Sequence, residues 1–352
     1  MVAGGFLIFS SASLGLMARG GASFGAEAFS QFMFGVLGGG ALMLLISNVY
    51  YLHWRRYAFY IFGASLLATL LVFSPLGVEH GGATRWINLG ITTVQPAEFL
   101  KIGFVVYLAT WFSGVHSKIS QWKYGLIPLV VTISLVGSVM LIQPDTDTFL
   151  IIAASGVAMF MVAGAKWRDL AVLVVGSILL LTSLVMALPH VKDRVTTFMN
   201  PEADPLGSGY QINQSLIAVG AGGATGRGYG QSIQKFQYLP EPTSDSIFAV
   251  YAEEFGYLGS IVLIATFVFL TLRGYRIAAQ AADNFGALLV VGFMTILVAQ
   301  AFLNIAAMVA LAPLSGLPLP FVSHGGTALM AVLASLGIIL NVSKYRILHH
   351  SA

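Results

Sequence analysis

Ten long runs of apolar sequence, joined mostly by short polar connections, constrain this chain more than any other feature. They fall at roughly Met1 to Leu16, Phe29 to Tyr50, Tyr57 to Ser74, Pro96 to Phe112, Tyr124 to Ile142, Thr148 to Gly164, Leu170 to Leu188, Ser246 to Leu272, Phe285 to Leu311 and Gly325 to Val342. Most approach the ~20 residues that a helix needs to cross a bilayer. Hydrocarbon offers the backbone no partners, so a spanning segment is a helix or part of a closed barrel. Runs this long and this poor in charge exclude the short alternating strands of a barrel. Of 352 residues 57% are hydrophobic and 9% charged, against roughly 25% charged in a soluble domain. The expectation is an all-α polytopic membrane protein of about ten transmembrane helices, folded as a single membrane domain over 1–352. Residues 189–244 form a large loop between helices 7 and 8. The first run lacks a basic stretch ahead of it and reads as a transmembrane helix rather than a signal peptide. With no cysteine, disulfides, thiolate metal sites and cysteine nucleophiles are excluded. A net charge of +3 bears on topology rather than on nucleic acid, and no nucleic-acid partner is expected.

The basic residues give an orientation. Arg55 and Arg56, Lys118 and Lys123, Lys166 and Arg168, Arg273 and Arg276, and Lys344 and Arg346 occupy alternate connections and the C-terminal tail. By the positive-inside rule these face the cytoplasm, with both termini inside. The stretch from Val78 to Gln95, the QPDTDT turn, the 189–244 loop and Ala312 to His324 then face outward. Glu98, Lys101, Asp145, Asp147, Asp245, Glu253 and Glu254 lie at or near the outer ends of their helices, which puts the candidate site on the extracytoplasmic side. Ionisable groups in such places are costly and mark function by default.

Each group also has a bland reading. Gln95-Pro96-Ala97-Glu98 suits a helix entry, with proline in the first turn and a carboxylate near the positive end of the dipole. Lys101, three residues on, either pairs with Glu98 or faces a substrate. Arg85 and Trp86 read as an exposed loop at the membrane interface. Between two apolar helices, Asp147 is the expected start of the following helix and Asp145 a candidate cation ligand. The glycine-rich run from Gly220 to Gly230 lacks the strand and helix of a dinucleotide site, and its amides with Arg227 suit an anionic lipid headgroup. Lys235 adds a cation nearby. Asp245 is either a helix cap or a catalytic acid–base group. Eight residues on, Glu253 lies about 80° around an ideal helix and shares the face of Asp245, whereas Glu254 points about 180° away, toward another helix.

Several segments, in order, carry a resemblance: FSSAS from Phe9, ATRWINLG from Ala83, QPAEFLK from Gln95, QPD from Gln143, NPEADPLGSGYQINQSLIAVGAGG from Asn200, GRGYGQSIQKFQYLPEPTSDSIFAVYAEEFGYLG from Gly226 and GLPLPFVSHGG from Gly316. Together they resemble the SEDS family (shape, elongation, division and sporulation), the polytopic peptidoglycan glycosyltransferases that include FtsW and RodA, over nearly the whole chain. QSIQKFQYLPE and FAVYAEEFG look closer to the FtsW branch, GLPLPFVS and DPLGSGYQI to RodA, and the division branch is favoured. The resemblance implies polymerisation of lipid II on the outer face of the bacterial cytoplasmic membrane. It also implies a class B penicillin-binding protein transpeptidase as partner, among other divisome or elongasome membrane proteins in the lipid bilayer. Asp245 matches the family's essential aspartate and would take the proton of the attacking hydroxyl. Arg85, Lys101 and Lys235 are candidates for opposing the charge of the departing pyrophosphate, with Glu98, Arg227 and Glu253 as further substrate-binding candidates. A divalent cation, Mg2+ or Mn2+, is expected to assist, with Asp145 or Asp245 as its ligand, and no organic cofactor is expected. Thr243 and Ser244 stand where His-Thr is commoner, Asp147 where glycine is usual, and His324 where the family carries tyrosine. His324 is expected to be a packed loop residue rather than a second base. Two alternatives remain: a lipid II flippase, and a non-catalytic scaffold that activates its transpeptidase.

Overall fold

The computed structural model describes residues 1–18, 24–80, 83–88, 90, 93–201 and 207–346. Leu89 and residues 202–206, which belong to two of the quoted motifs, lie outside the described residues. The protein is a helical, polytopic membrane protein. Its helices are α1 (Val2–Ala18), α2 (Phe24–Ser30), α3 (Gly39–Asn48), α4 (Leu52–Leu70), α5 (Pro96–Gly114), α6 (Leu126–Ile142) and α7 (Thr146–Val162). They continue with α8 (Trp167–Ala187), α9 (Pro189–Met199), α10 (Ser208–Ala221), α11 (Gln234–Gln237), α12 (Ile247–Ala279), α13 (Asn284–Met308) and α14 (Gly326–Lys344). A π-helical stretch, Gln31–Gly38, joins α2 to α3. Nine of the ten expected apolar runs fall mainly on one α-helix each, and the run from Phe29 to Tyr50 falls on the end of α2, the π-helical stretch and α3 together. Among the described residues six helical segments are long and apolar enough to cross a membrane, and three shorter apolar helices accompany them.

Two regions read as loops from sequence carry regular structure. Strands β1 (Gly77–His80), β2 (Ala83–Asn88) and β3 (Thr93–Val94) form a small antiparallel sheet in the order β1-β2-β3. ATRWIN is rich in β-branched and aromatic side chains, which favour a pleated surface. Val78 pairs with Trp86 and Glu79 with Thr84, so Arg85 is the extra residue of a bulge. The 189–244 stretch holds α9, α10 and α11; Pro189 at the first turn of α9 is a helix-start signal that the polar composition masked.

The chain forms two compact units, one of residues Met1–Val36, Ile178–Phe269 and Val298–Gly326, the other of Leu37–Ser177, Leu270–Leu297 and Thr327–Ala352. In the second unit small residues let helices meet closely, as membrane helices require. Gly103 of α5 lies against Ser65 and Phe62 of α4, and Gly156 of α7 against Phe104 and Leu108 of α5. Leu100, Phe104, Leu108 and Phe112 give α5 a fully buried stripe at four-residue spacing.

In the first unit, α12 breaks at Gly256, whose φ of 67° and ψ of −166° are open essentially to glycine alone. An unbroken helix would bond the Tyr257 amide to the Glu253 carbonyl and the Leu258 amide to the Glu254 carbonyl. Here Tyr257 and Leu258 donate instead to the carbonyls of Gly223 and Ala224, and the two glutamate carbonyls accept from Arg227 and Gly228. All four groups severed by the break are thus paired by the glycine-rich segment, which satisfies the demand of an apolar surrounding. A Cβ at Gly226 would run into the Glu254 carbonyl, which is why glycine stands there. The amides of Gly226, Arg227 and Gly228 are therefore turned inward onto protein carbonyls, and the expected amide cradle for a headgroup is not formed by them.

Candidate active site

Asp245 lies near the end of a strap of irregular backbone, 238–246, that runs from α11 into α12. The carbonyl of Glu241, a residue in the left-handed region at φ 45°, accepts from both Ser244 and Ser246 and turns the strap back on itself. Three carbonyls further along the strap, those of Thr243, Ser244 and Asp245, are each fastened. Thr243 accepts from the His324 amide at 2.7 Å, Ser244 from Ser323 Oγ at 2.5 Å, and Asp245 from Asn304 Nδ2 at 2.7 Å. The motif GLPLPFVSHGG and one asparagine of α13 thus fix the backbone around the carboxylate. Gln31, at the head of the π-helical stretch, holds that motif in turn, donating to the Ser323 carbonyl and accepting from Gly325.

Ser246, not Asp245, takes the cap position of α12: its carbonyl accepts from Ala249 at 3.0 Å and Val250 at 3.4 Å. Gln211 of α10 approaches Oδ2 of Asp245 at 3.4 Å and donates to Ser246 Oγ at 3.0 Å. Oδ1 is enclosed and has no hydrogen-bond partner. Burial raises the Asp245 pKa to about 7, helped by the nearby Glu241 and opposed by the Gln211 hydrogen bond. His324 stacks on Phe9 with ring centroids 5.8 Å apart. Burial lowers its pKa although Glu27 and Glu241 pull the other way.

The two glutamates of α12 are fully enclosed and do separate things. Glu254 meets α1: Ser11 Oγ donates to both of its oxygens at 2.6 and 2.8 Å, and Lys235 Nζ lies 2.6 Å from Oε1. Glu253 was expected to share the face of Asp245. Instead it accepts from Ser232 Oγ at 2.5 Å and from the amides of Ile233 and Gln234, at the start of α11. The loop supplies these donors because the break at Gly256 brings it alongside. Arg227 lies 3.5 Å from Glu253 and donates to the Ala221 carbonyl.

In the other unit, the β2 bulge directs Arg85 onto the QPD turn. Its guanidinium donates to the carbonyls of Pro144 and Gln143 and lies 3.8 Å from Asp145. Asp145, rather than Asp147, caps α7, accepting from the Thr148 amide at 3.4 Å, and its Oδ2 is enclosed without a partner. Lys101 and Glu98 form a buried pair at 2.7 Å.

Among the described residues no three His, Cys, Asp or Glu side chains come together as a metal site. Asp145 is bordered by a guanidinium and an amide, which oppose a divalent cation, and Asp245 by the side-chain amide of Gln211. The donors present do not fit the expected ion. Sequence reasoning missed Gln211, Asn304, Ser323, Gln31, Ser11 and Ser232. The available signal was uncharged polar residues in apolar helices, which act as hydrogen-bond glue, but charge drew the attention.

The chain matches the family model named for FtsW, RodA and SpoVE, described as cell cycle protein, over residues 1–347. It is 37% identical to stage V sporulation protein E of Bacillus subtilis over 304 residues, 86% of this chain and 83% of that protein. It is 38% identical to the probable peptidoglycan glycosyltransferase FtsW of Geobacter metallireducens over 306 residues, 87% and 82% of the two chains. A solved structure described as the structural coordination of polymerization and crosslinking by a peptidoglycan synthase complex superposes with a TM-score of 0.77 at 27% identity, covering 97% of this chain and 96% of the other.

Proposed function

Since the chain belongs to the FtsW/RodA/SpoVE family, we propose that it is a peptidoglycan glycosyltransferase that polymerises lipid II into glycan strands. The observation that carries the reading is the state of Asp245: backbone fastened, Oδ1 enclosed and unpartnered, and a pKa of about 7. A general base works best when its pKa lies near the working pH, and this carboxyl meets that condition. In the reaction, the GlcNAc 4-hydroxyl of the acceptor attacks the anomeric carbon of the donor and Asp245 takes its proton. The bond from that carbon to the pyrophosphate oxygen breaks, the electron pair leaves with the lipid pyrophosphate, and the anomeric centre inverts.

Gln211 orients the carboxylate through Oδ2. The leaving group is strongly anionic, and Arg85 and Lys101 are the cations proposed to oppose its charge as it develops. Lys235, at 0% exposure, is joined to Glu254 and Ser11, and Arg227 lies beside Glu253. No step is routed through a divalent cation. The chemistry takes place on the outer face of the bacterial cytoplasmic membrane, with both termini in the cytoplasm and a class B penicillin-binding protein as the crosslinking partner. The solved synthase complex supports that pairing by its likeness to this chain.

The test uses purified protein with labelled lipid II in detergent, with and without the transpeptidase, and glycan chains resolved on a gel. Wild type with its partner should make polymer and Asp245→Asn none. Lack of polymer from wild type, or equal polymer from the variant, refutes the reading. A flippase would instead carry lipid II across liposomes whatever stands at 245.

A further inference from the structure

We propose that Glu254, Lys235 and Ser11 form a positioning lock that sets the strap carrying Asp245, making the first helix of the chain a working part of the site. The proposal deepens the glycosyltransferase reading and rests on it.

All three residues are enclosed, Lys235 and Ser11 at 0% exposure and Glu254 at 1%. A lysine in such surroundings is costly unless its charge is met, and here it is met twice. Nζ lies 2.6 Å from Glu254 Oε1 and 3.0 Å from Ser11 Oγ, while Ser11 donates to both glutamate oxygens. Gly15, one turn after Ser11 on α1, allows the approach, since a Cβ there would strike the Lys235 carbonyl. The lock therefore joins three separate stretches: FSSAS in α1, QKFQ in α11 and YAEE in α12.

Its effect on the site follows from the chain path. α11 leads straight into the strap, with the amides of Tyr238 and Leu239 donating back to the Gln234 carbonyl. Glu253 fastens the entry to α11 through Ser232, Ile233 and Gln234, and Ser232 Oγ accepts from the Lys235 amide. The strap is thus anchored at the Lys235 end by the adjacent glutamates and at the Asp245 end by His324, Ser323 and Asn304. Releasing the first anchor frees the turn at Glu241, the group that bears electrostatically on Asp245.

Hydrogen exchange and lipid II polymerisation test this on full-length protein in detergent, wild type against Ser11→Ala, Lys235→Met, Glu254→Gln and the double variant Lys235→Met/Glu254→Gln. Each charged single variant should speed exchange in peptides covering 236–246 by about tenfold, with α5 peptides within about twofold. Turnover should fall about tenfold or more with KM for lipid II nearly constant, and the double variant, which leaves no buried charge unmatched but also no lock, should regain thermal stability while strap exchange stays fast and turnover low; recovery of both by the double variant overturns the lock. Unchanged exchange in the strap, or equal acceleration in α5, overturns the lock. A loosened strap with wild-type turnover overturns its part in the site. Full polymerisation by Asp245→Asn would instead refute the general-base reading, and the exchange data would still decide whether the lock holds the strap.

Discussion

Asn304 donates to the backbone carbonyl of Asp245 at 2.7 Å and to that of Leu317 at 2.8 Å, so one buried amide ties the strap that carries Asp245 to the segment that follows α13. Replacing Asn304 by alanine strands two carbonyls away from water, at a cost of about 1–3 kcal/mol for each. Asn304→Ala should therefore lower the thermal midpoint and reduce turnover at least tenfold, by rough analogy with other misplaced catalytic groups. Asn304→Asp keeps the shape but loses the donors and should be no better. Thermal unfolding and polymerisation assays on the same samples check both.

The raised pKa of Asp245 sets two pH dependences of opposite sense. Only the carboxylate accepts a proton, so kcat/KM should fall about tenfold per unit below pH ~7. Stability runs the other way. The folded pKa, about 7, lies above the unfolded value near 3.8, so the folded state binds this proton more tightly. That contribution is complete below the unfolded value and is lost as pH rises through about 7. Asp245→Asn removes the titration, so its gain in midpoint over wild type should be absent at pH 4, grow to about pH 7 and then level off. A gap that shrinks with rising pH would contradict the burial of the acid form.

The break in α12 separates glycines that matter from glycines that do not. Gly256 has φ 67°, and a Cβ there would strike the Gly226 amide, so Gly256→Ala should cost well above about 3 kcal/mol and abolish folded monomer on size exclusion. Gly223 also has positive φ, 53°, but nothing lies within 4 Å of its would-be Cβ. Gly223→Ala should cost only about 1–2 kcal/mol, the left-handed penalty alone, and remain active.

The contrast shows what the sequence could carry. Hydrocarbon forces each apolar run to be a helix, so the helices were legible as runs, and Pro96 and Gly326 sit near helix starts. Asp245 was legible by its position at the mouth of a helix and by resemblance. The destinations of Glu253 and Glu254 were not. They depend on a break at Gly256 that no periodicity reveals, because glycine is common in membrane helices and only its φ tells a hinge from a packing contact. Arg85 reads from sequence as part of an exposed loop because the alternation of a strand of six residues is easily lost among flanking glycines. Its bulge, which directs it onto the QPD turn, is a matter of pairing register and lies beyond a single-strand reading.

The buried pair of Glu98 and Lys101 allows the two roles weighed for Lys101 to be told apart. Removing one partner leaves an uncompensated buried charge, and such losses run to about 3–5 kcal/mol. Lys101→Met and Glu98→Gln should each lower the thermal midpoint, and Lys101→Met/Glu98→Gln should regain most of it because no charge is left unmatched. Activity need not follow. If Lys101 also opposes the pyrophosphate charge, the double variant recovers its stability but stays at least about 100-fold down in turnover, the scale of losing one electrostatic donor to a leaving group. If the pair only secures the start of α5, polymerisation returns with the midpoint. The expected result is recovery of stability without recovery of turnover, read from unfolding curves and gel-resolved glycan yield on the same preparations.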